Sequence, residues 1–442
     1  MCSTKFMLQQ RQQCNIRNCI FCSMKNIRTY FCFTWFILIA DILSGQNFSE
    51  ATFAKRRELF AREVRTGVAI IPSTMKNGSL NKNFYYLTGI DQPGYIYVFD
   101  MQERGENGKL FAPEQVAELE FFVEQTKTEK KRLILSAFAS DFNQKYFYQA
   151  PFVNLDSIMV YKRAVKDEEE IAVIREACRI TAEGIKHMYR NMKQGMTEQD
   201  LLQLMTERFS QEGGNGIAFE QVASGNLATS PHAGTTDKIA AVDEMFVVDI
   251  GALKDKYTAD ITVSFTISGK LTKEQKTIYD IVYKSLETGV KGMVKGNFHE
   301  QVERSAMDVI VDELFKLGLI TDKDSPWQRA FWIQHGFGHH IGLDVHDVWY
   351  DYLRMIPDDR RVYIPGMILT FEPAVYFPQD GLDARPRRLT RLVSEEEFMD
   401  YARQIRPIYE RYAGIAVRLE EDILINADGT NENLTKMSLN SR

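Results

Sequence analysis

Apolar and polar positions along this chain follow two periods. In ATFAKRRELFAREV, the apolar residues Phe53, Leu59, Phe60 and Val64 recur at helical spacing. GVAIIP, GYIYVFD and KRLILSAF are short β-rich runs punctuated by Gly and Pro. Together they predict a small α/β domain over residues 47–160. A junction follows, where Asp167 with Glu170 forms a capping box and Ile171, Ile174, Cys178, Ile185 and Met188 make one apolar stripe. Thr197 with Asp200, and Thr272 with Gln275, open two further helices in the same way. Between the helices lie EMFVVDIGAL, YTADITVSFTISG, MILTFEPAVYF and GIAVRLEEDILIN. These read as strands, being β-branched and aromatic, and they occupy the remaining domain, residues 161–442. No internal repeat stands out.

Composition changes this picture little. The chain has 442 residues, 44% of them hydrophobic and 26% charged, as in an ordinary globular protein with a large core. A net charge of −6 with no basic stripe argues against a nucleic-acid partner. Five of the six cysteines (Cys2, Cys14, Cys19, Cys22, Cys32) precede residue 33 and only Cys178 follows, so the folded body has no intrachain disulfide. Cys19 and Cys22 lack the further ligands of a zinc site. Residues 1–46 read as a signal peptide or disordered leader: a basic run from Met24 to Arg28 precedes YFCFTWFILIADILSG, which Asp41 interrupts. The run is too short and interrupted for a stable membrane span. Export to a periplasm or to the outside follows if residues 24–46 are a signal peptide, and a cytoplasmic location otherwise. Three N-x-[ST] sites, at Asn47, Asn77 and Asn433, matter only in a eukaryotic secretory pathway.

The strands carry acids where they should prefer apolar residues, and such conflicts mark function. Asp249 ends MFVVD, Asp260 sits in YTADITVSF, Glu372 interrupts ILTFEP, and Glu420 follows IAVRL. A lone buried carboxylate is costly, whereas four converging on divalent cations are tolerable. HGFGHHIGLDVHD adds His335, His339, His340 and His346, four of the seven histidines. Four carboxylates with one imidazole form a hard, oxygen-rich donor set. It suits two divalent metals, with manganese favoured and cobalt or zinc also admitted. Rival motifs fail: GFGHHIG is not G-x-G-x-x-G, HEQVE is not H-E-x-x-H, SGKLT lacks the P-loop's upstream glycine, and no G-x-S-x-G occurs.

In these residues the chain resembles the pita-bread (creatinase-like) metallopeptidases, and within them the Xaa-Pro aminopeptidases. NFYYLTGIDQPGYIYVF is similar to the family's DFxYLTG segment, and the histidine stretch to HGxxHxxGxxxHD. The resemblance implies an α+β fold, with a curved, mostly antiparallel sheet covered by helices behind a smaller N-terminal α/β domain. It implies metal ligands at Asp249, Asp260, His339, Glu372 and Glu420, with Asp260 and Glu420 bridging. It implies Glu372 as general base for a water shared by the metals, and His232, His335 and His346 beside the substrate. Arg418 is similar to an arginine near the substrate, and Tyr376 to a tyrosine orienting the ligands. Two metals about 3.5–4 Å apart can share a hydroxide and lower its pKa toward neutrality.

The implied activity is hydrolysis of the bond between an N-terminal residue and a following proline. Prolidase, which takes Xaa-Pro dipeptides, is the nearest alternative; a catalytically weakened binding module is another. The implied partners are peptides with proline second, and the implied assembly is a homodimer or homotetramer. Departures are Val263 in place of the family's arginine, Ala374 after Glu372-Pro373, Phe337 in the histidine motif, and an extra stretch, SEEEFMDYARQIRPIYERY, expected as a helix. On their context, Cys178 is expected in the core, His187 and His299 at the surface, and His340 in packing or facing solvent.

Overall fold

The computed structural model describes residues 48–101, 108–136, 140–348, 356–357 and 360–440. The leader expected over residues 1–46, with its signal peptide and Cys19–Cys22, lies outside them. Phe48–Arg442 forms one compact unit.

Its first part is a five-stranded mixed sheet. The strands are β1 (Val68–Pro72), β2 (Ile96–Asp100), β3 (Lys109–Phe111), β4 (Leu133–Leu135) and β5 (Phe152–Asn154), ordered β3-β2-β1-β4-β5. β1 to β3 are antiparallel neighbours, whereas β4 and β5 run parallel to β1. The central run VAIIP is buried throughout, as expected of a strand covered on both faces.

Helix Glu168–Asn191 leads out of this part. Asp167 and Glu170 close its capping box, and the stripe Ile174, Cys178, Ile185 and Met188 is fully buried. Helices Glu198–Gln211 and Lys273–Gly292 carry the two capping boxes the sequence predicts.

The remaining strands are β6 (Ile217–Ser224), β7 (Phe246–Lys254), β8 (Tyr257–Thr258), β9 (Ile261–Phe265), β10 (Ile368–Phe371), β11 (Ala374–Tyr376), β12 (Ala416–Arg418), β13 (Glu421–Ile425) and β14 (Asn431–Asn433). All their pairings are antiparallel. β7 is central, flanked by β6 and β9, and β12 packs across β7 and β9. Helix Glu168–Asn191 covers β7, and Lys273–Gly292 covers β10 to β12.

β10 with β13, and β11 with β12, are two successive ladders broken at one level, by Glu372-Pro373 on one side and Leu419-Glu420 on the other. Proline has no N–H to continue a ladder. The extra stretch between β11 and β12 forms helix Glu395–Tyr409, packed among Trp327, Phe331 and Trp332. Among the described residues, no helix is long and apolar enough to cross a membrane.

One surface expectation is corrected: His299 is buried at 5% exposure beside the Tyr363 hydroxyl, 3.0 Å away. His340 is fully buried, the packing alternative of the two expected for it. His187 is half-buried on its helix.

Candidate metal centre

The site begins with a turn. Asp255 and Lys256 both have left-handed φ, 47° and 70°, which suits the tight hairpin joining β7 to β8. The hairpin brings Asp260 back beside β7, and β9 then pairs Thr262 with Asp249. Alternation along β9 turns Asp260, Thr262 and Ser264 to one face. On the other face Ile261, Val263 and Phe265 pack with Phe246, Val248 and Ile250. Gly251 makes the close approach possible, because a Cβ there would lie 1.9 Å from the Ala259 carbonyl oxygen.

The ladder break supplies the next two acids. Glu372 donates its backbone N–H to Phe337 O at 2.7 Å, and Glu420 donates its own to Thr262 O at 3.1 Å. The Thr262 hydroxyl donates to Glu420 Oε2 at 2.7 Å, which fixes that carboxylate. His339 follows Gly338, where a Cβ would meet Thr370 O at 2.6 Å. Gly338 thus lets this segment lie close against β10, where His340 bridges Leu369. His339 Nδ1 faces the His340 carbonyl at 3.2 Å, leaving Nε2 toward the acids: 3.5 Å from Asp260, 3.6 Å from Glu372 and 3.8 Å from Glu420. Ligand atoms of Asp260, His339 and Glu420 all lie within 4.8 Å of one another. Asp249 stands opposite, paired through Oδ2 with Arg418.

Electrostatics show that the chain alone does not satisfy this cluster. Burial, and then the neighbouring acids Glu420 and Asp249, hold the Asp260 carboxyl well above the usual range. Burial, followed by Glu372 and Asp249, does the same to Glu420. Burial pushes Glu372 up to about 8 against the pull of Arg418. His339 is held down to about 3 by burial and by His346, so it is a neutral imidazole at physiological pH. Asp249 Oδ1 and Asp260 Oδ1 are buried and accept no hydrogen bond. Crowded acids, orphaned carboxylate oxygens and one neutral imidazole fit divalent cations: the imidazole is already in the form a ligand must take, and a cation would take the place of the protons that the crowded carboxyls hold.

The flanking residues form a polar chain. His335 Nε2 lies 3.1 Å from the Tyr376 hydroxyl, which accepts from Arg418 Nη1 at 3.1 Å. Arg418 also donates to Pro231 O at 3.0 Å, next to His232. Burial, with Arg418 second, lowers His335 to about 4. The His346 ring stands edge-on to His339, centroids 4.3 Å apart. His232 is exposed and follows Pro231, whose carbonyl accepts from Arg418. Arg418 pairs with neither Glu421 nor Asp422, acids three and four residues on in sequence. Strand alternation and the β11–β12 ladder direct it to Asp249.

Sequence reasoning assigned nothing to Asp422, Asp347, Arg163 or Lys166. Asp422 is fully buried and accepts the Asp260 backbone N–H at 3.0 Å and the Cys178 thiol at 3.2 Å. Its signal was present: an acid on the core-facing side of EEDILIN. Burial pushes it up to about 7.

A curved antiparallel sheet lined by acids and one neutral histidine defines a pita-bread metalloenzyme. Residues 172–427 match the model of metallopeptidase family M24, and the chain belongs to that family. The Escherichia coli Xaa-Pro aminopeptidase is 32% identical over 280 residues, 62% of this chain and 56% of that relative. The chain thus matches little more than half of that relative's length. Two solved structures share the fold: E. coli aminopeptidase P with the inhibitor Pro-Leu (24% identity, TM-score 0.71) and Pseudomonas aeruginosa aminopeptidase PepP (22%, TM-score 0.71). Each match covers 89% of this chain and 96% of the other.

Proposed function

We propose that the protein is an exopeptidase that removes an N-terminal residue preceding proline. The observation that carries this reading is the cluster of Asp260, Glu372 and Glu420 around His339 Nε2, with Asp249 beside Arg418 and carboxylate oxygens of Asp249 and Asp260 left unbonded. The relatives named above, called Xaa-Pro aminopeptidase and aminopeptidase P, support it. In this reading Asp249, Asp260, His339, Glu372 and Glu420 hold two divalent cations, with manganese favoured by the hard donor set. Such ions, when bound, polarise the scissile carbonyl and acidify water toward neutral pH.

The chain's own groups do the rest. Glu372 accepts the proton of the attacking water and passes it to the leaving prolyl nitrogen. Arg418 offsets the charge of Asp249, and through Tyr376 it fixes the neutral ring of His335. In this reading His232 and His346 donate to peptide oxygens, and His335, whose Nδ1 faces Gly336 O at 2.7 Å and whose Nε2 faces Tyr376, borders the proline side. Proline has no N–H and a fixed φ, so extended-strand recognition fails and a dedicated pocket is required. Residues 161–442 take the catalytic role in this proposal, and 47–160 a supporting one.

The full chain, stripped of metal and reloaded with manganese, tests the proposal with an Xaa-Pro-Xaa tripeptide, an Xaa-Pro dipeptide and a methionyl peptide lacking proline. The expected result is metal-dependent release of the N-terminal residue, fastest from the tripeptide. Faster dipeptide cleavage makes the protein a prolidase. Metal binding with no cleavage of any peptide overturns the enzymatic reading in favour of a binding module.

A further inference from the structure

A second buried charge cluster lies behind the site. Arg163, Lys166 and Asp347 are 6%, 4% and 2% exposed. Arg163 Nη2 donates to Asp347 Oδ1 and, at 2.8 Å, to Asp344; Lys166 Nζ reaches Asp347 Oδ2 at 3.3 Å. The other arm of Arg163 donates to Asn83 Oδ1 at 3.0 Å, and Asn83 donates to Asp156 at 2.9 Å. Two cations on one buried carboxylate add little net stability over an apolar filling, because desolvation offsets the attraction. Their effect is geometric: they fix where Asp347 sits.

What Asp347 fixes is the end of a loop. Residues 341–348 contain no helix or strand. Ile341 and Leu343 anchor the beginning of the loop in the core. At its end Asp347 donates its backbone N–H to His340 O at 2.8 Å. The next residue, Val348, has a left-handed φ of 52°, costly for a β-branched side chain, so the backbone there must be held from outside. Between these anchors the chain turns His346 toward His339.

We propose that Arg163 and Lys166 are positioning residues that set the His346 imidazole over the metal centre through Asp347. The inference rests on the proposed function for its kinetic consequence but not for its geometry. Arg163 belongs to helix Leu155–Ala164, and its Asn83–Asp156 contacts lie beside the five-stranded sheet. The mouth of the site is therefore tied to the first part of the chain through one guanidinium.

The test uses the full chain in two measurements. The first is the imidazole spectrum of histidine-labelled, metal-free protein, with His346→Ala assigning its signal. Arg163→Met is expected to move the His346 signal and leave His187 in place, with Arg163→Lys restoring most of the shift. The second is peptide cleavage by the manganese-loaded protein. Arg163→Met is expected to lower kcat/KM about 10- to 100-fold, as a misplacement of about 1 Å does. In the His346→Ala background the same change is expected to cost little more, because coupled residues are not additive. An unmoved His346 signal, or an equal loss in both backgrounds, overturns the proposal. Should Arg163→Met not fold, Asp347→Asn and Lys166→Met are read the same way. If the wild-type chain cleaves no peptide, the proposed function fails while the spectrum still decides the geometry.

Discussion

Thr262 and Val263 are neighbours in sequence and face opposite ways. The Thr262 hydroxyl holds Glu420 Oε2 at 2.7 Å, whereas Val263 packs on the far side of β9 with Phe246 and Phe265. The valine that replaces the family's arginine therefore does not enter the acid cluster. Thr262→Val, which keeps shape and deletes the hydroxyl, is expected to weaken manganese binding about 10- to 100-fold, the usual effect of losing a group that orients a ligand. Val263→Thr is expected to leave manganese affinity unchanged. Calorimetric titration of metal-free protein with manganese checks both, and equal losses would show that the two faces are not independent. Phe337 likewise stays out of the cluster: it is 1% exposed and packs edge-on to Phe371.

At the level of elements, the site depends on two interruptions of regular strand. One is the approach of β7 to the β8–β9 chain at Gly251. A methyl group there would sit 1.9 Å from Ala259 O, one residue before Asp260, so the strands must part. Gly251→Ala is expected to destabilise the fold by about 1–3 kcal/mol, the range for overpacking. It should also lower metal stoichiometry by displacing Asp260. Chemical denaturation and metal analysis of the purified variant check this, and a variant retaining full metal content would show that Asp260 is not carried by this contact. The other interruption is the ladder break at Pro373 and Leu419, which frees Glu372 and Glu420 from the sheet's alternation. The inserted helix Glu395–Tyr409 is no lid. Trp332 Nε1 donates to the Tyr401 hydroxyl at 2.9 Å, and that hydroxyl donates to Leu319 O at 2.6 Å, so the helix is built into the core.

For the whole molecule, the acid cluster makes stability depend on metal and pH together. Without metal, the folded state holds protons on Asp260, Glu372 and Glu420 more tightly than the unfolded chain does. Between about pH 7 and 9, unfolded carboxyls and histidines have already lost their protons. Glu372, at about 8, loses its proton in that window. The unfolded state then binds fewer protons, so stability falls as pH rises. Thermal unfolding of metal-free protein is expected to show a Tm that drops across that window. Saturating manganese is expected to raise Tm by mass action and flatten the slope. A metal-free Tm that rises over the same range would contradict the buried, protonated cluster.

Much of this was legible in the sequence because it depends on local rules. The capping boxes at Asp167, Thr197 and Thr272 are four-residue patterns, and each forms as read. Asp249, Asp260, Glu372 and Glu420 stood out because acids oppose strand propensity wherever they fall. Pairings across long separations were not legible. Arg418 lies two residues from Glu420 in the chain, yet it pairs with Asp249, 169 residues away. Arg163 reaches Asp347 across 184 residues, and Asp260 leans on Asp422 across 162. The surface expected for His299 failed for the same reason, since its burial depends on Tyr363 on a distant segment. Local propensity and patterning determined which residues conflict with their surroundings; only the tertiary structure decided which distant charge resolves each conflict, because a buried ion takes its partner from whatever the fold brings within reach.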